Sequence, residues 1–118
     1  MRNLEKYKGV IPAFYACYDK EGNISPEGVQ GLTKYFVKKG VKGVYVNGSS
    51  GECIYQSVED RKIVLENVMK VAEGKLTVIA HVACNNTKDS QELARHAEGL
   101  GVDAIAAIPP IYFHLPEY

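Results

Sequence analysis

Two adjacent hydroxyls bracketed by glycines, Gly48-Ser49-Ser50-Gly51, are the side chains of this sequence best placed to do chemistry. Each hydroxyl can donate or accept a hydrogen bond, and together with the loop's backbone N–H groups they suit a small anion. The flanking Gly48 and Gly51 are expected to give the backbone conformations closed to other residues and a close approach to a ligand. Alone, such a run reads equally as a flexible turn. Its setting favours a site: the apolar, β-branched run Val44-Tyr45-Val46 stops at the loop and a helix signal follows, so the hydroxyls sit at the carboxyl end of a strand.

The other candidate groups are less organised. Cys17, Cys53 and Cys84 each fall near the carboxyl end of an expected strand and could share a face, but no pair of Cys or His has ligand spacing. Free thiols are therefore favoured over a metal site, and neither a metal nor a cofactor is expected. His81 and His96 read as strand and helix residues with ordinary partners, and Glu52 as a group that ties its loop down by hydrogen bonds. The lysines fall on expected helices, in a turn, or just before strands. A solvated lysine keeps a pKa near ~10.4 and is a poor nucleophile at neutral pH.

Elements that could position the loop recur along the chain. The run from Gly9 to Tyr18 suits a strand covered on both faces, with Pro12 as an expected irregularity. Ser25-Pro26-Glu27 gives an N-cap, a proline at the first helical position and an acid in the first turn, and Gly40 closes that helix. Val41 to Asn47 makes a second strand, followed by a helix from Ser57 to Gly74. Leu76 to Ala83 makes a third strand, and Asn86 or Thr87 caps a helix that Gly101 ends. Ala104 to Ile108 makes a fourth. Strand starts recur every ~30 to 35 residues, the length of one β-helix-β unit, so a parallel sheet with right-handed crossovers is expected. No Gly-rich turn follows the first strand, which argues against a nucleotide-binding open sheet. The pattern fits an α/β fold, the first half of a (β/α)8 TIM barrel with four parallel strands and three helices, residues 1–118 forming one unit. Barrel chemistry sits on the loops after the strands, where Ser49 and Ser50 lie.

Composition excludes several classes. Of 118 residues 46% are apolar and 24% charged, with 14 acids against 14 Lys and Arg, so neither disorder nor a basic surface for nucleic acid is indicated. The charged amino terminus lacks the apolar stretch of a secretory signal and no run is long enough to span a bilayer. A cytoplasmic protein acting on small molecules, with no membrane partner, is expected.

Gly48-Ser49-Ser50-Gly51-Glu52 resembles the Gly-[Ser/Thr]-[Ser/Thr]-Gly-Glu signature of the pyruvate-dependent class I aldolases that group N-acetylneuraminate lyase with dihydrodipicolinate synthase. The resemblance extends through Ile79-Ala80-His81-Val82, Ser90-Gln91-Glu92-Leu93-Ala94 and Ile108-Pro109-Pro110-Ile111-Tyr112. His81-Val82-Ala83-Cys84 followed by Ser90-Gln91-Glu92-Leu93 is similar to the lyase branch, whereas Ile111-Tyr112-Phe113 departs from the Tyr-Tyr-Asn of the synthase branch. The resemblance implies retro-aldol cleavage of a sialic acid to pyruvate and N-acetylmannosamine through a lysine Schiff base, in a homotetramer. It also implies that Ser49 and Ser50 contact the pyruvate carboxylate, that Ser49 joins a hydroxyl relay, and that Tyr112 is the relay tyrosine that often reaches in from a neighbouring subunit. On its residue type alone Tyr112 reads as an amphipathic rim aromatic. The Schiff-base lysine would lie beyond Tyr118, so this chain by itself is expected to be inactive. A related 2-keto-3-deoxy sugar acid aldolase, a dihydrodipicolinate synthase-like enzyme and a non-catalytic half-barrel that assembles through its sheet edge are the alternatives.

Overall fold

Three helices begin and end where local chemistry dictates. The computed structural model describes residues 2–110. Helix α1 (Pro26–Lys39) starts with Ser25 Oγ accepting from Gly28 N at 3.0 Å and stops at Gly40, which takes a left-handed φ of 73°. Ser57 Oγ accepts from Asp60 N at 3.0 Å to open helix α2 (Val58–Ala72), and Asn86 Oδ1 accepts from Asp89 N at 2.8 Å to open helix α3 (Thr87–Leu100). Each cap satisfies a donor that the first turn would otherwise leave orphaned.

Between the helices lie strands β1 (Gly43–Val46), β2 (Thr77–His81) and β3 (Ala104–Ala106), which pair in parallel in that order. The register sets Val44 beside Val78 and Val46 beside Ala80, with Ile105 next in the latter row. These side chains meet Val64, Leu65 and Val68 of α2, and nearly all are buried. Burying one such aliphatic side chain contributes about 1.5–3 kcal/mol, so this row of valines dominates the energy that holds sheet to helices. Ile105 is the exception at 53% exposed, on the three-residue strand β3 at the end of the sheet. Polar pairs tie the helices to one another: Gln30 Nε2 donates to Asn67 Oδ1 at 2.7 Å, Lys62 reaches Glu92 at 2.6 Å, and His96 reaches Glu66 at 2.8 Å. Among the described residues no helix is long and apolar enough to cross a membrane.

The strand count departs from the four expected. Residues 10–14 lie alongside β1 and bond to it, with Lys42 N donating to Val10 O at 2.9 Å, Tyr45 N to Pro12 O at 2.9 Å and Phe14 N to Tyr45 O at 2.8 Å. Only an isolated parallel bridge, Ala13 to Tyr45, results. Pro12 has no N–H to give, so the ladder is interrupted in the middle of the segment. It occupies the place of a first barrel strand without the continuous pairing of one.

Gly43 faces Thr77 of β2 with no room for a side chain. A Cβ built there would lie 2.3 Å from the Thr77 carbonyl oxygen, a backbone atom that can move only with β2. Gly43→Ala is expected to destabilise the fold by about 1–3 kcal/mol, read as a lower urea midpoint at unchanged m-value. An unchanged midpoint would show that the β1–β2 spacing is not fixed at this residue.

Candidate active site

Strand β1 delivers the chain to Asn47, where it turns sharply: Asn47 has φ of 62° and Glu52 φ of 58°, both in the left-handed region. Between them Ser49–Gly51 form a 3-10 turn, and Cys53–Tyr55 form a second one directly after. The left-handed positions therefore fall on the residues that flank the glycines, and the expectation that Gly48 and Gly51 supply unusual dihedrals is corrected. Their role is close approach. A Cβ on Gly48 would sit 2.7 Å from the Tyr45 ring, and one on Gly51 would sit 2.9 Å from the Phe14 carbonyl oxygen. The loop is thus pressed against the aromatic ring of the strand that precedes it and against the backbone of the segment beside β1.

Asn47 is held on both sides. Its side-chain amide donates to the Arg61 carbonyl at 2.9 Å, and its own carbonyl accepts from His81 Nδ1 at 3.0 Å. Because a carbonyl can only accept, this bond fixes the proton on Nδ1 and leaves Nε2 as a buried acceptor without a partner among the described residues. Burial, and then the neighbouring Arg61 charge, lower the His81 pKa below its ordinary 6.5, with the Asn47 bond working the other way. Arg61 is 2% exposed. Its guanidinium donates to His81 O at 2.7 Å, Ala83 O at 2.8 Å and Cys84 Sγ at 3.2 Å, at the carboxyl end of β2. On the outer side of the loop, Tyr18 Oη donates to Glu52 Oε2 at 2.6 Å, and Gln56 Nε2 donates to the Gly51 carbonyl at 2.7 Å. Glu52 does tie the loop down, as its residue type suggested.

Ser49 and Ser50 are exposed at the carboxyl ends of the strands. Their N–H groups open a 3-10 turn, which leaves them without an acceptor inside it. Ser49 borders two depressions. One, of about 390 Å³, has Tyr45, Ser50, Ile11 and Ala13 in its walls, and the other, of about 350 Å³, has Arg61, His81, Cys53, Cys84 and Asp89. Two of the three cysteines therefore share a face, while Cys17 packs against Gly28 of α1. All three thiols are free, and among the described residues no group of three potential ligands could hold a metal ion. Tyr112 and His114 lie outside the described residues.

Comparison with known proteins gives this geometry a context. The profile of the dihydrodipicolinate synthetase family matches residues 6–117. The chain belongs to that family. An N-acetylneuraminate lyase from Enterobacter sp. (strain 638) is 38% identical over 109 residues, which are 92% of this chain and 37% of that protein. The crystal structure of an N-acetylneuraminate lyase from Mycoplasma synoviae superposes with a TM-score of 0.92 at 36% identity, over 97% of this chain and 40% of that one. A dihydrodipicolinate synthase from Bacillus anthracis follows at a TM-score of 0.81 and 29% identity, over 92% and 37%. This dihydrodipicolinate synthetase family chain thus spans well under half the length of the relatives it matches, and the fold is that of the amino-terminal part of their TIM barrels.

Sequence reading did not find Asn47, Arg61 or Tyr45 in this family member. Arg61 had a readable signal, since it stands on the helical stripe that continues through Val64, Leu65 and Val68. A cation inside an apolar stripe marks a group with buried partners. Asn47→Ala removes a buried bond and leaves a left-handed backbone without the side chain that stabilises it. A loss of about 2 kcal/mol in chemical denaturation is expected, with Asn47→Gly losing less because glycine relieves the strain. Equal losses would mean that the dihedral is unstrained. The lowered His81 pKa means the unfolded chain binds a proton that the folded one resists. His81 therefore supports the fold fully above about pH 6.5, and that support is lost as pH falls through its lowered folded value. The stability difference between the native protein and His81→Gln should shrink across that window, and a constant difference would place the His81 pKa at its ordinary value.

Proposed function

We propose that the whole protein cleaves N-acetylneuraminate to pyruvate and N-acetylmannosamine through a lysine Schiff base, the lysine lying outside this chain. The observation that carries this reading is the Ser49-Ser50 pair at the carboxyl end of β1, two exposed hydroxyls on a loop braced from both sides. Neutral donors orient a carboxylate without the desolvation cost of burying a charge beside it. Ser49 passes a proton to or from the substrate hydroxyl in concert with Tyr112, a general acid–base step that needs only a hydroxyl at hydrogen-bond distance. The lyase names of the Enterobacter and Mycoplasma synoviae relatives support the sialic acid substrate. No cofactor is needed, since the iminium itself is the electron sink. A tetramer is the proposed assembly and the cytoplasm its proposed location. The similarity to the Bacillus anthracis synthase favours one second reading, condensation of pyruvate with a different aldehyde at the same carboxylate loop.

Borohydride reduction in the presence of pyruvate tests the mechanism by intact mass. In the longest form its gene encodes, the protein should gain one reduced pyruvate, and the 13.0 kDa chain alone should gain none. No adduct on the longer form would overturn the Schiff-base reading, and release of N-acetylmannosamine from sialic acid separates the lyase from the synthase. Ser49→Ala should lower kcat by about 10²-fold or more, in keeping with loss of a positioned proton-transfer group. Ser50→Ala should chiefly raise KM, by about tenfold for one lost hydrogen bond to a charged group.

A further inference from the structure

A buried arginine normally faces a carboxylate, and Arg61 does not. Among the described residues no Asp or Glu lies within ion-pair distance of it, and its four contacts are the carbonyls of His81 and Ala83, the Cys84 thiol and the His81 ring edge at 3.4 Å. Its Nε has no partner at all among them. Two carbonyl dipoles and a thiol satisfy part of its donor set and carry no net charge, so a full positive charge stays in a low-dielectric place. That charge already reaches its surroundings, since it helps to hold His81 neutral. Arg61 shares the wall of the 350 Å³ depression with Ser49. Asp89, the other charged residue in that wall, is only half-buried and accepts from the Asn86 side chain at 2.8 Å at the head of α3, where solvent screens it.

We propose that Arg61 is the charge complement of the carboxylate held by Ser49 and Ser50, so that the site selects an ionised 2-keto acid over its neutral amide. This deepens the carboxylate reading of the loop and rests on it. The hydroxyls give direction and the arginine gives sign: it stands behind the loop without touching the ligand and acts on it by its field, while the Asn47 bond to the main-chain carbonyl of position 61 braces the loop whatever side chain stands there. A substrate carboxylate arriving beside Ser49 brings into the field of this guanidinium a negative charge that no Asp or Glu supplies at contact distance among the described residues. Neutral ligands of the same shape gain the hydrogen bonds and nothing from the charge.

The test compares pyruvate with pyruvamide by titration calorimetry, on the protein in the longest form its gene encodes. The native protein should prefer pyruvate, and Arg61→Met should weaken pyruvate by about tenfold or more while changing pyruvamide by less than about twofold, as expected for a unit charge acting over several ångströms. Arg61→Lys keeps a cation and should keep the preference. Equal losses for the two ligands in Arg61→Met would reduce Arg61 to scaffolding and overturn the proposal. If Arg61→Met does not fold, Cys84→Asp sets a carboxylate against the same guanidinium, whose nearest nitrogen is 3.2 Å from the present sulfur, without removing its carbonyl bonds. Loss of the preference in Cys84→Asp but not in the neutral Cys84→Asn supports the charge role, and a preference intact in both overturns it. A native protein that forms the reduced pyruvate adduct yet shows no preference refutes this inference alone, whereas one that neither binds nor traps pyruvate refutes the aldolase reading with it.

Discussion

The carboxyl edge of this sheet depends on one constrained residue, Asn47, locked between helix α2 and strand β2. A non-glycine residue in the left-handed region costs about 1–2 kcal/mol, and the structure places two of them, Asn47 and Glu52, at the two ends of a single short loop. Each is over-determined by its neighbours. Asn47 makes one bond through its side chain and one through its carbonyl, and Glu52 accepts the Tyr18 hydroxyl. At about 0.5–1.5 kcal/mol net per hydrogen bond, these contacts are of the size needed to offset the strain. The outcome is a loop whose hydroxyls project from a fixed base.

The lock also gathers three of the buried polar groups at this edge, while Thr33, Asn67 and Thr77 are buried elsewhere, each with its own hydrogen bond. Asn47, Arg61 and His81 are all buried, in a sheet whose remaining buried side chains are mostly aliphatic. Buried polar groups are tolerated when they satisfy one another, and here nearly all do. Two of the four buried side-chain polar atoms without a partner among the described residues, Arg61 Nε and His81 Nε2, lie within this network. Removing either residue would strand buried carbonyls of Asn47, His81 or Ala83, so the polar groups of this edge stand or fall together.

Much of the architecture was legible because it follows from local chemistry. Ser25, Ser57 and Asn86 cap helices for reasons visible in a few neighbouring residues, and Gly40 and Gly101 end them by taking positive φ. The alternation of apolar runs with capped helices was enough to give a parallel sheet. What failed was whatever depended on a partner distant in sequence. Pro12 interrupts a ladder whose other half lies some thirty residues away, and the glycines of the loop owe their identity to Tyr45 and Phe14, not to their own dihedrals. Arg61 meets its carbonyls twenty and twenty-two positions later, at the end of β2, and no local pattern encodes that. The hydroxyl pair was found because its neighbours in sequence frame it; the polar network beneath was missed because its members meet only in space.

The contact between Gly48 and Tyr45 bears on how such a site can change over time. Because the ring fills the volume that any side chain at position 48 would need, the floor of one depression and the path of the loop are a single object. Altering either alone creates a clash or a void. A drift in substrate preference through this part of the chain must therefore move both positions together, or pass through an intermediate that is less stable than either end point. That makes the strand before the loop, more than the loop itself, the slow variable in the divergence of this surface.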